Sequence, residues 1–185
     1  IKWLKEKEIN YEEEFNLSQK SWLQAGGTIN LFIRPQKIEE VKKIIVLFIK
    51  KKTRYYILGN ISNTILRDGI IQTPIINLNK INQIILNNEE KDLEFYAESG
   101  VPIPRFANWV IKKGFSGTEG LLGIPGTLGG GIYMNASSYN NEVAKYIKNI
   151  VSITHEGEIK KTSKEDAKLL WRSSIFQKNK EIILG

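Results

Sequence analysis

The chain has 185 residues and a formal net charge of +7, from 27 Lys and Arg against 20 Asp and Glu. Its lack of Cys excludes disulfides and thiolate chemistry, and its single His disfavours a histidine-based metal site, so we expect no metal. Apart from a short cluster at 50–54, the basic residues are dispersed along the sequence, so we expect no nucleic-acid partner. The longest apolar run, 44–49, is far shorter than the roughly 20 residues that span a membrane, so we expect no membrane partner.

The first part of the chain predicts alternating helices and strands. The charged segment 3–15 favours a helix, the alternating pattern at 28–34 favours a strand, and 55–58 is a short apolar strand. Between these strands, apolar residues recur at helical spacing and predict an amphipathic helix over 38–51. The strand–helix–strand order indicates a βαβ-type unit.

The middle of the chain reads as strands followed by a helix. Strand-like segments are predicted at 70–78, 81–86 and 93–98, with a polar turn at 87–92. A helix at 105–113 follows, with Gly114 as its stop.

The last part of the chain predicts a hairpin and one more helix. Segments 146–154 and 158–162 flank a Glu-Gly turn, where His155 is expected to be a solvated turn residue rather than a catalytic one. Ser163 followed by Asp166 resembles a capping box and predicts a helix start.

We divide the chain into a first lobe at 1–80 and a second lobe at 81–185. The sequence starts with Ile rather than Met and stops in a strand-like segment. We therefore expect both ends to be cut from a longer polypeptide, with the second lobe truncated at its C-terminus.

The most unusual stretch is 117–135, GTEGLLGIPGTLGGGIYMN, which holds seven of the 15 glycines. Three consecutive glycines at 129–131 would leave bare backbone N–H groups, which suit anionic oxygens. The interleaved Leu and Ile residues argue against a flexible linker, and the segment matches neither the P-loop nor the G-x-G-x-x-G pattern. We predict a ligand-cradling loop, with a structural cluster of turns as the alternative.

A second polar segment follows the predicted strand 55–58. In α/β architectures, loops at strand ends are where ligands bind, and the hydroxyl and amide groups of Ser62 and Asn63 can donate to phosphate oxygens. An ordinary turn is the alternative, because Gly, Asn and Ser are also turn formers.

The last motif is 171–176, WRSSIF, in which Arg172 stands next to Trp171. In the structural interpretation the guanidinium stacks on the indole ring or pairs with a surface acid. In the functional one, a fixed guanidinium faces a reacting carboxylate or enolate.

Taken in order, these motifs resemble the UDP-N-acetylenolpyruvoylglucosamine reductase family, flavoenzymes that make UDP-N-acetylmuramate for peptidoglycan. The resemblance runs from about Leu17 to the C-terminus, and a segment beginning at Trp22 also fits it. The matching segments are LGNISN at 58–63, GIPGTLGG at 123–130, MNA at 134–136 and WRSSIF at 171–176.

The resemblance implies an α+β fold, the FAD-binding fold of the vanillyl-alcohol-oxidase type, in which two α+β lobes hold a non-covalent FAD between them. It also implies a cytoplasmic enzyme, expected to be a monomer, that acts on a UDP-sugar. The cofactor-binding residues that it implies are Gly59, Asn60, Ile61, Ser62, Asn63, Gly123, Ile124, Pro125, Gly126, Thr127, Gly130 and Asn135.

The family's chemistry is two hydride transfers, from NADPH to FAD and then to the enolpyruvyl double bond. The resemblance makes Arg172 the catalytic cation beside the substrate carboxylate, and Tyr139 a substrate-binding residue. The family's Ser proton donor and a Glu lie in a C-terminal domain that is not in this sequence, so we expect these 185 residues alone not to turn over substrate.

Two departures from the family pattern bear on the site. Ile61 stands where the family usually has glycine, so we expect a β-branched side chain to crowd the phosphate loop, and Trp171 replaces the usual Tyr. The alternatives are therefore a non-catalytic FAD- or nucleotide-binding module and a flavin oxidase of the same fold with a different substrate.

Overall fold

The computed structural model describes residues 1–18, 21, 23–89, 92–138 and 141–185. The chain divides into two compact units, Ile1–Ile81 and Asn82–Gly185, here called unit 1 and unit 2. The helices are α1 Lys2–Glu6, α2 Ile38–Lys50, α3 Ile103–Lys112, α4 Leu128–Tyr133 and α5 Ile175–Asn179. The strands are β1 Tyr11–Asn16, β2 Thr28–Ile33, β3 Tyr56–Leu58, β4 Ile70–Ile71, β5 Ile75–Asn77, β6 Ile84–Glu89, β7 Asp92–Ala97, β8 Ser137–Ser138, β9 Asn141–Glu142, β10 Asn149–Ile153, β11 Ile159–Ser163 and β12 Ile182–Ile183.

Unit 1 is built on a mixed sheet with the strand order β1-β2-β5-β3, and β4 also pairs with β2. Strand β1 runs antiparallel to β2, whereas β2, β5 and β3 run parallel to one another. Helix α2 leads from β2 to β3, so the predicted βαβ-type unit is confirmed, with β5 inserted between its two strands.

Helix α2 is amphipathic, as its sequence predicts. Its apolar residues Val41, Ile44, Ile45 and Phe48 are buried on one face. Fully burying each such side chain contributes about 1.5–3 kcal/mol, so this face is what holds the helix in place.

No helix within the described ranges is long and apolar enough to cross a bilayer.

The prediction of a helix over 3–15 is wrong beyond α1. Residues Tyr11–Asn16 form strand β1, which pairs with β2 along its length. The ring of Phe15 stacks on Phe32 with the centroids 4.2 Å apart, and both rings are buried. Cross-strand pairing and aromatic burial therefore override the helix propensity of the Glu-rich segment.

Unit 2 combines a three-stranded antiparallel sheet, in the order β11-β10-β12, with two small hairpins, β6-β7 and β8-β9. The predicted hairpin of β10 and β11 is confirmed, and His155 lies exposed at its turn, beside Glu156. The predicted polar turn at 87–92 is wrong at both ends, because β6 continues to Glu89 and β7 begins at Asp92.

The predicted helix start at Ser163 is also wrong. One hydrogen bond of a capping box forms, since Ser163 Oγ accepts from Asp166 N at 3.1 Å, and the Ser163 hydroxyl donates to Asp166 Oδ2 at 2.8 Å. The chain nevertheless makes only turns here, and Lys168 enters the left-handed region with a φ of 46°. A single turn is all that this cap stabilises.

A buried carboxylate ties the sheet of unit 2 to the end of α5. Glu181, 5% exposed, accepts hydrogen bonds from Ser152 Oγ at 2.6 Å, Asn179 Nδ2 at 3.0 Å and Lys160 Nζ at 3.3 Å. Burial raises the pKa of Glu181, but these three hydrogen bonds and the Lys160 charge outweigh it and hold the pKa below its usual range.

Glu181→Gln should lower the free energy of unfolding by about 1 kcal/mol at pH 7, because charge-assisted hydrogen bonds become neutral ones. Since the folded-state pKa is depressed, the stability that the carboxylate contributes is complete above the unfolded pKa of about 4.3 and is lost as the pH falls through the folded pKa. Urea unfolding of both proteins should show the difference shrinking as the pH falls below the unfolded pKa. Glu165→Gln, at an exposed position, is the control, and a difference independent of pH would contradict this assignment.

Candidate functional site

The polar segment after β3 forms a loop at the end of the unit 1 sheet. Asn77, buried at the end of the neighbouring strand β5, donates through Nδ2 to the carbonyl oxygens of Leu58 at 3.2 Å and Gly59 at 2.8 Å. The carbonyl groups at the start of the loop are therefore held by the sheet. By contrast, the N–H groups of 59–62 donate no hydrogen bond within the described part of the chain.

Ile61 adopts the left-handed conformation, with a φ of 54°. That region costs a β-branched residue roughly 1–2 kcal/mol. Its side chain is only 8% exposed and packs in the apolar core of unit 1 with Leu58 and Leu66. The expectation that it crowds the loop is wrong, because the side chain turns inward. A left-handed residue within a loop can also turn successive N–H groups toward one side, which is a geometry that binds anions.

In unit 2, the two chain segments 99–103 and 126–129 are joined by their backbones. Ile103 N donates to Gly126 O at 3.0 Å, Leu128 N donates to Val101 O at 2.8 Å, and Gly129 N donates to Ser99 O at 2.8 Å. These bonds fix the point at which α4 begins.

The three consecutive glycines lie in α4 rather than in a bare loop, and they face different ways. A Cβ on Gly129 would lie 2.7 Å from Ser99 Cβ, and one on Gly131 would lie 2.8 Å from Ile103 Cδ1. Only Gly130 is exposed. The prediction that all three form one naked surface is therefore wrong, because two of them are needed for close packing inside unit 2.

The start of α4 leaves backbone donors free. Among the described residues, the N–H groups of Gly126, Thr127 and Gly130 donate to no protein acceptor. Gly126 has a φ of 113°, which L side chains rarely adopt, and Gly130 presents no side chain in front of these groups. The buried hydroxyl of Ser99, next to Gly129, also has no partner. These N–H groups can donate hydrogen bonds to anionic or carbonyl oxygens of a ligand.

Asn135 is buried just after α4, and its side chain is used within unit 2. Its Nδ2 donates to Glu142 Oε2 and to Leu170 O, both at 3.1 Å, and its Oδ1 accepts from Ala144 N at 3.2 Å. The side-chain amide therefore holds the surrounding loops, and its predicted role towards a cofactor stays a prediction.

Arg172 lies at the tip of a tight turn. Leu170 and Ser173 exchange backbone hydrogen bonds of 3.1 and 3.2 Å, with Trp171 and Arg172 between them. Arg172 is exposed and has a φ of 53°, an outlier of the kind that concentrates at functional sites. Its guanidinium lies 6.0 Å from the centroid of the largely exposed Trp171 ring, at the outer limit of a cation–π contact.

The base of this turn is fastened to the C-terminal end of α4. Tyr133 O accepts from Ser174 Oγ and Gln177 Nε2, both at 2.8 Å, and Gln177 Nε2 also donates to Arg172 O at 3.3 Å. The free amides therefore stand at one end of a six-residue helix and the Arg172 turn at the other, roughly 9 Å apart along its axis.

Two residues of the sequence analysis, Trp22 and Tyr139, lie outside the described residues. Within the described ranges, no group of three acidic or His side chains is placed to hold a metal ion. Three supporting residues, Asn77, Ser99 and Gln177, were not predicted from the sequence. Of these, only Asn77 could have been recognised in the sequence, because it is a polar residue in an otherwise apolar strand segment.

Comparisons with known proteins point to one cofactor. The FAD binding domain family matches residues 29–163. The UDP-N-acetylenolpyruvoylglucosamine reductase of Clostridium novyi is 35% identical over 172 residues, which are 92% of this chain and 55% of that protein. The chain thus spans about half the length of this curated relative.

Solved structures show the same fold at low identity. The UDP-N-acetylenolpyruvylglucosamine reductase of Thermus caldophilus superposes with a TM-score of 0.72 at 23% identity, over 95% of this chain and 59% of that one. A solvent-stable cholesterol oxidase gives a TM-score of 0.70 at 13% identity, over 96% and 37% of the two chains. The resemblance and the α+β FAD-binding fold drawn from the sequence are confirmed.

The packing of α4 predicts opposite effects for two neighbouring substitutions. Gly129→Ala should destabilise the protein by about 1–3 kcal/mol, because its Cβ overlaps Ser99. Gly130→Ala should leave stability unchanged or raise it by up to about 1 kcal/mol, since its nearest neighbour would be Thr127 Oγ1 at 3.6 Å and Ala favours helices. Thermal unfolding monitored by circular dichroism measures both, and equal melting temperatures would refute the inward packing of Gly129.

Proposed function

The chain belongs to the FAD-binding domain family, and we propose that it is the FAD-binding part of a reductase that converts UDP-N-acetylglucosamine enolpyruvate to UDP-N-acetylmuramate with NADPH as the reductant. The observation that carries the proposal is the set of free amides at the start of α4, in the segment that matches the reductase motif GIPGTLGG. A cytoplasmic location, a monomeric state and the UDP-sugar substrate are parts of the same proposal.

The residues present fit a flavin dinucleotide. Its pyrophosphate and ring-edge oxygens need donors that approach without a side chain in the way, and Gly126, Thr127 and Gly130 offer them. The loop of unit 1 offers the N–H groups of 59–62 in the same manner. The side chain of Ile61 points into the core, and this supports the role of the loop. Although the family usually has glycine here, the larger residue then leaves the surface of the loop open.

Bound FAD would supply hydride transfer, and the chain's own residues would supply binding and electrostatics. Arg172 is suited to stabilise negative charge that develops beside the substrate carboxylate, because its turn is fastened to α4 and its guanidinium is exposed. Ser174 and Gln177 would act by fixing the turn through Tyr133 O. A preorganised cation of this kind needs no reorganisation during the reaction.

The first test is whether the intact protein purifies with FAD, seen as visible flavin absorbance. Gly130→Ala should weaken FAD binding by about tenfold, because a new methyl group stands before the free amides. Titration of the apoprotein with FAD, followed by flavin fluorescence, measures this change. Asn108→Ala, on the exposed side of α3, is the control. Unchanged affinity of a folded Gly130→Ala protein would remove α4 from the cofactor site.

The second test concerns Arg172 in the intact, FAD-loaded protein. Arg172→Ala should lower kcat by roughly 10²-fold while FAD stays bound. The kcat of Arg172→Lys should lie between those of the wild type and Arg172→Ala, because Lys keeps the charge but lacks the planar guanidinium group. Lys168→Ala is the matched control, since Lys168 is also exposed, basic and left-handed. Steady-state kinetics with NADPH and the enolpyruvyl substrate measure the effect. If kcat of Arg172→Ala matches that of Lys168→Ala, Arg172 has no part in the mechanism.

A further inference from the structure

A shallow groove of about 350 Å³ lies on unit 1, and none of its lining residues belongs to the candidate site. It is lined by Trp3, Lys42, Lys43, Val46, Leu47 and Lys50, and we call it the basic groove. Its walls come from helices α1 and α2 alone. The groove therefore belongs to a single unit and does not depend on the candidate FAD site.

Helix spacing explains how the basic groove forms. The core face of α2 carries its buried residues, and Lys42, Val46 and Lys50 follow one another at intervals of four on the other side. Val46 is 45% exposed, although it is apolar and surrounded by lysines. The ring of Trp3 lies beside it, half-buried. The floor of the groove is thus apolar and its rim is cationic.

The charge around the basic groove is unbalanced. Residues 37–54 hold seven Lys and Arg against two Glu, so this short segment supplies most of the chain's surplus of +7. The cluster expected from sequence at 50–54 is thus continued along α2 by Lys42 and Lys43.

The lysines of the basic groove also lack acidic partners. In the part of the chain that the structure describes, Lys42, Lys43 and Lys50 form no ion pair. In unit 2, by contrast, Lys148 pairs with Glu94 and Lys160 with Glu181. Three unpaired ammonium groups around exposed apolar side chains are complementary to a surface that is both anionic and apolar.

We propose that the basic groove docks on an anionic lipid surface. Lysines on a helix with apolar side chains between them, together with a Trp that favours the membrane–water interface, are the features of peripheral membrane helices. Its polar groups are three lysine ammonium groups and the indole N–H of Trp3, all of them hydrogen-bond donors that suit headgroup phosphates. This contact is peripheral, and it replaces the expectation of no membrane partner, which rested on the lack of a spanning segment.

The test measures how strongly the intact protein, with any cofactor it retains, binds to lipid vesicles. One set of vesicles is pure phosphatidylcholine, and the other also contains roughly 30 mol% phosphatidylglycerol to supply the negative surface charge that attracts basic segments. We expect sedimentation with the anionic vesicles only, weakening as salt rises above about 0.1 M. Replacing Lys42, Lys43 and Lys50 together by Gln should lower the partition coefficient by about 30- to 100-fold. Val46→Asp, which removes the apolar contact, should also lower it, by about tenfold.

A matched control replaces Lys112, Lys161 and Lys178 together by Gln, three exposed lysines of unit 2. It changes the net charge equally and should leave vesicle binding within about twofold of wild type. Circular dichroism melts confirm that each variant is folded. The proposal is overturned if wild type ignores anionic vesicles, if both triple variants lose binding equally, or if a 20-nucleotide DNA strand binds the basic groove more tightly than the vesicles do.

Discussion

Three backbone hydrogen bonds between 99–103 and 126–129 are the constraint on which the candidate site of unit 2 depends. They bring two chain segments, more than 20 residues apart, within backbone contact. At that separation Gly129 has no room for a side chain, and Gly126 must take a conformation that L residues avoid. The same pairing uses Gly126 O and the N–H groups of Leu128 and Gly129, while the N–H groups of Gly126, Thr127 and Gly130 have no acceptor among the described residues. The pairing of the two segments therefore explains why glycine is needed at 126 and 129, and it leaves the free N–H donors at the start of α4.

Periodicity was sufficient to predict the elements whose stability comes from one buried face. Helix α2, strand β2 and the β10-β11 hairpin were predicted on this basis, because each has an apolar pattern that suits only one kind of element. Strand β1 was missed, since its Glu run favours a helix and only pairing with β2 makes it a strand. The helix through the three glycines was missed for the opposite reason. Its low propensity is overcome by packing against residues that are remote in sequence.

The loops of the candidate site could be found from composition, but their supports could not. Asn77 acts on carbonyl groups 18 and 19 residues earlier, and Gln177 acts on Tyr133, 44 residues away. No local pattern encodes such distances. The left-handed backbone of Arg172 was equally invisible, because Arg has no preference for that region. The sequence therefore predicts which groups would face a ligand, and the structure adds which groups hold these segments in place.

The position of Ile61 couples the loop after β3 to the core of unit 1. Its backbone occupies a conformation suited to glycine, while its side chain is buried in the core cluster against which Leu58 and Leu66 pack. Replacement by glycine would relax the main chain but leave a cavity behind. Backbone strain and core packing therefore cannot be improved independently at this position, because the side chain that fills the core is the one that strains the loop.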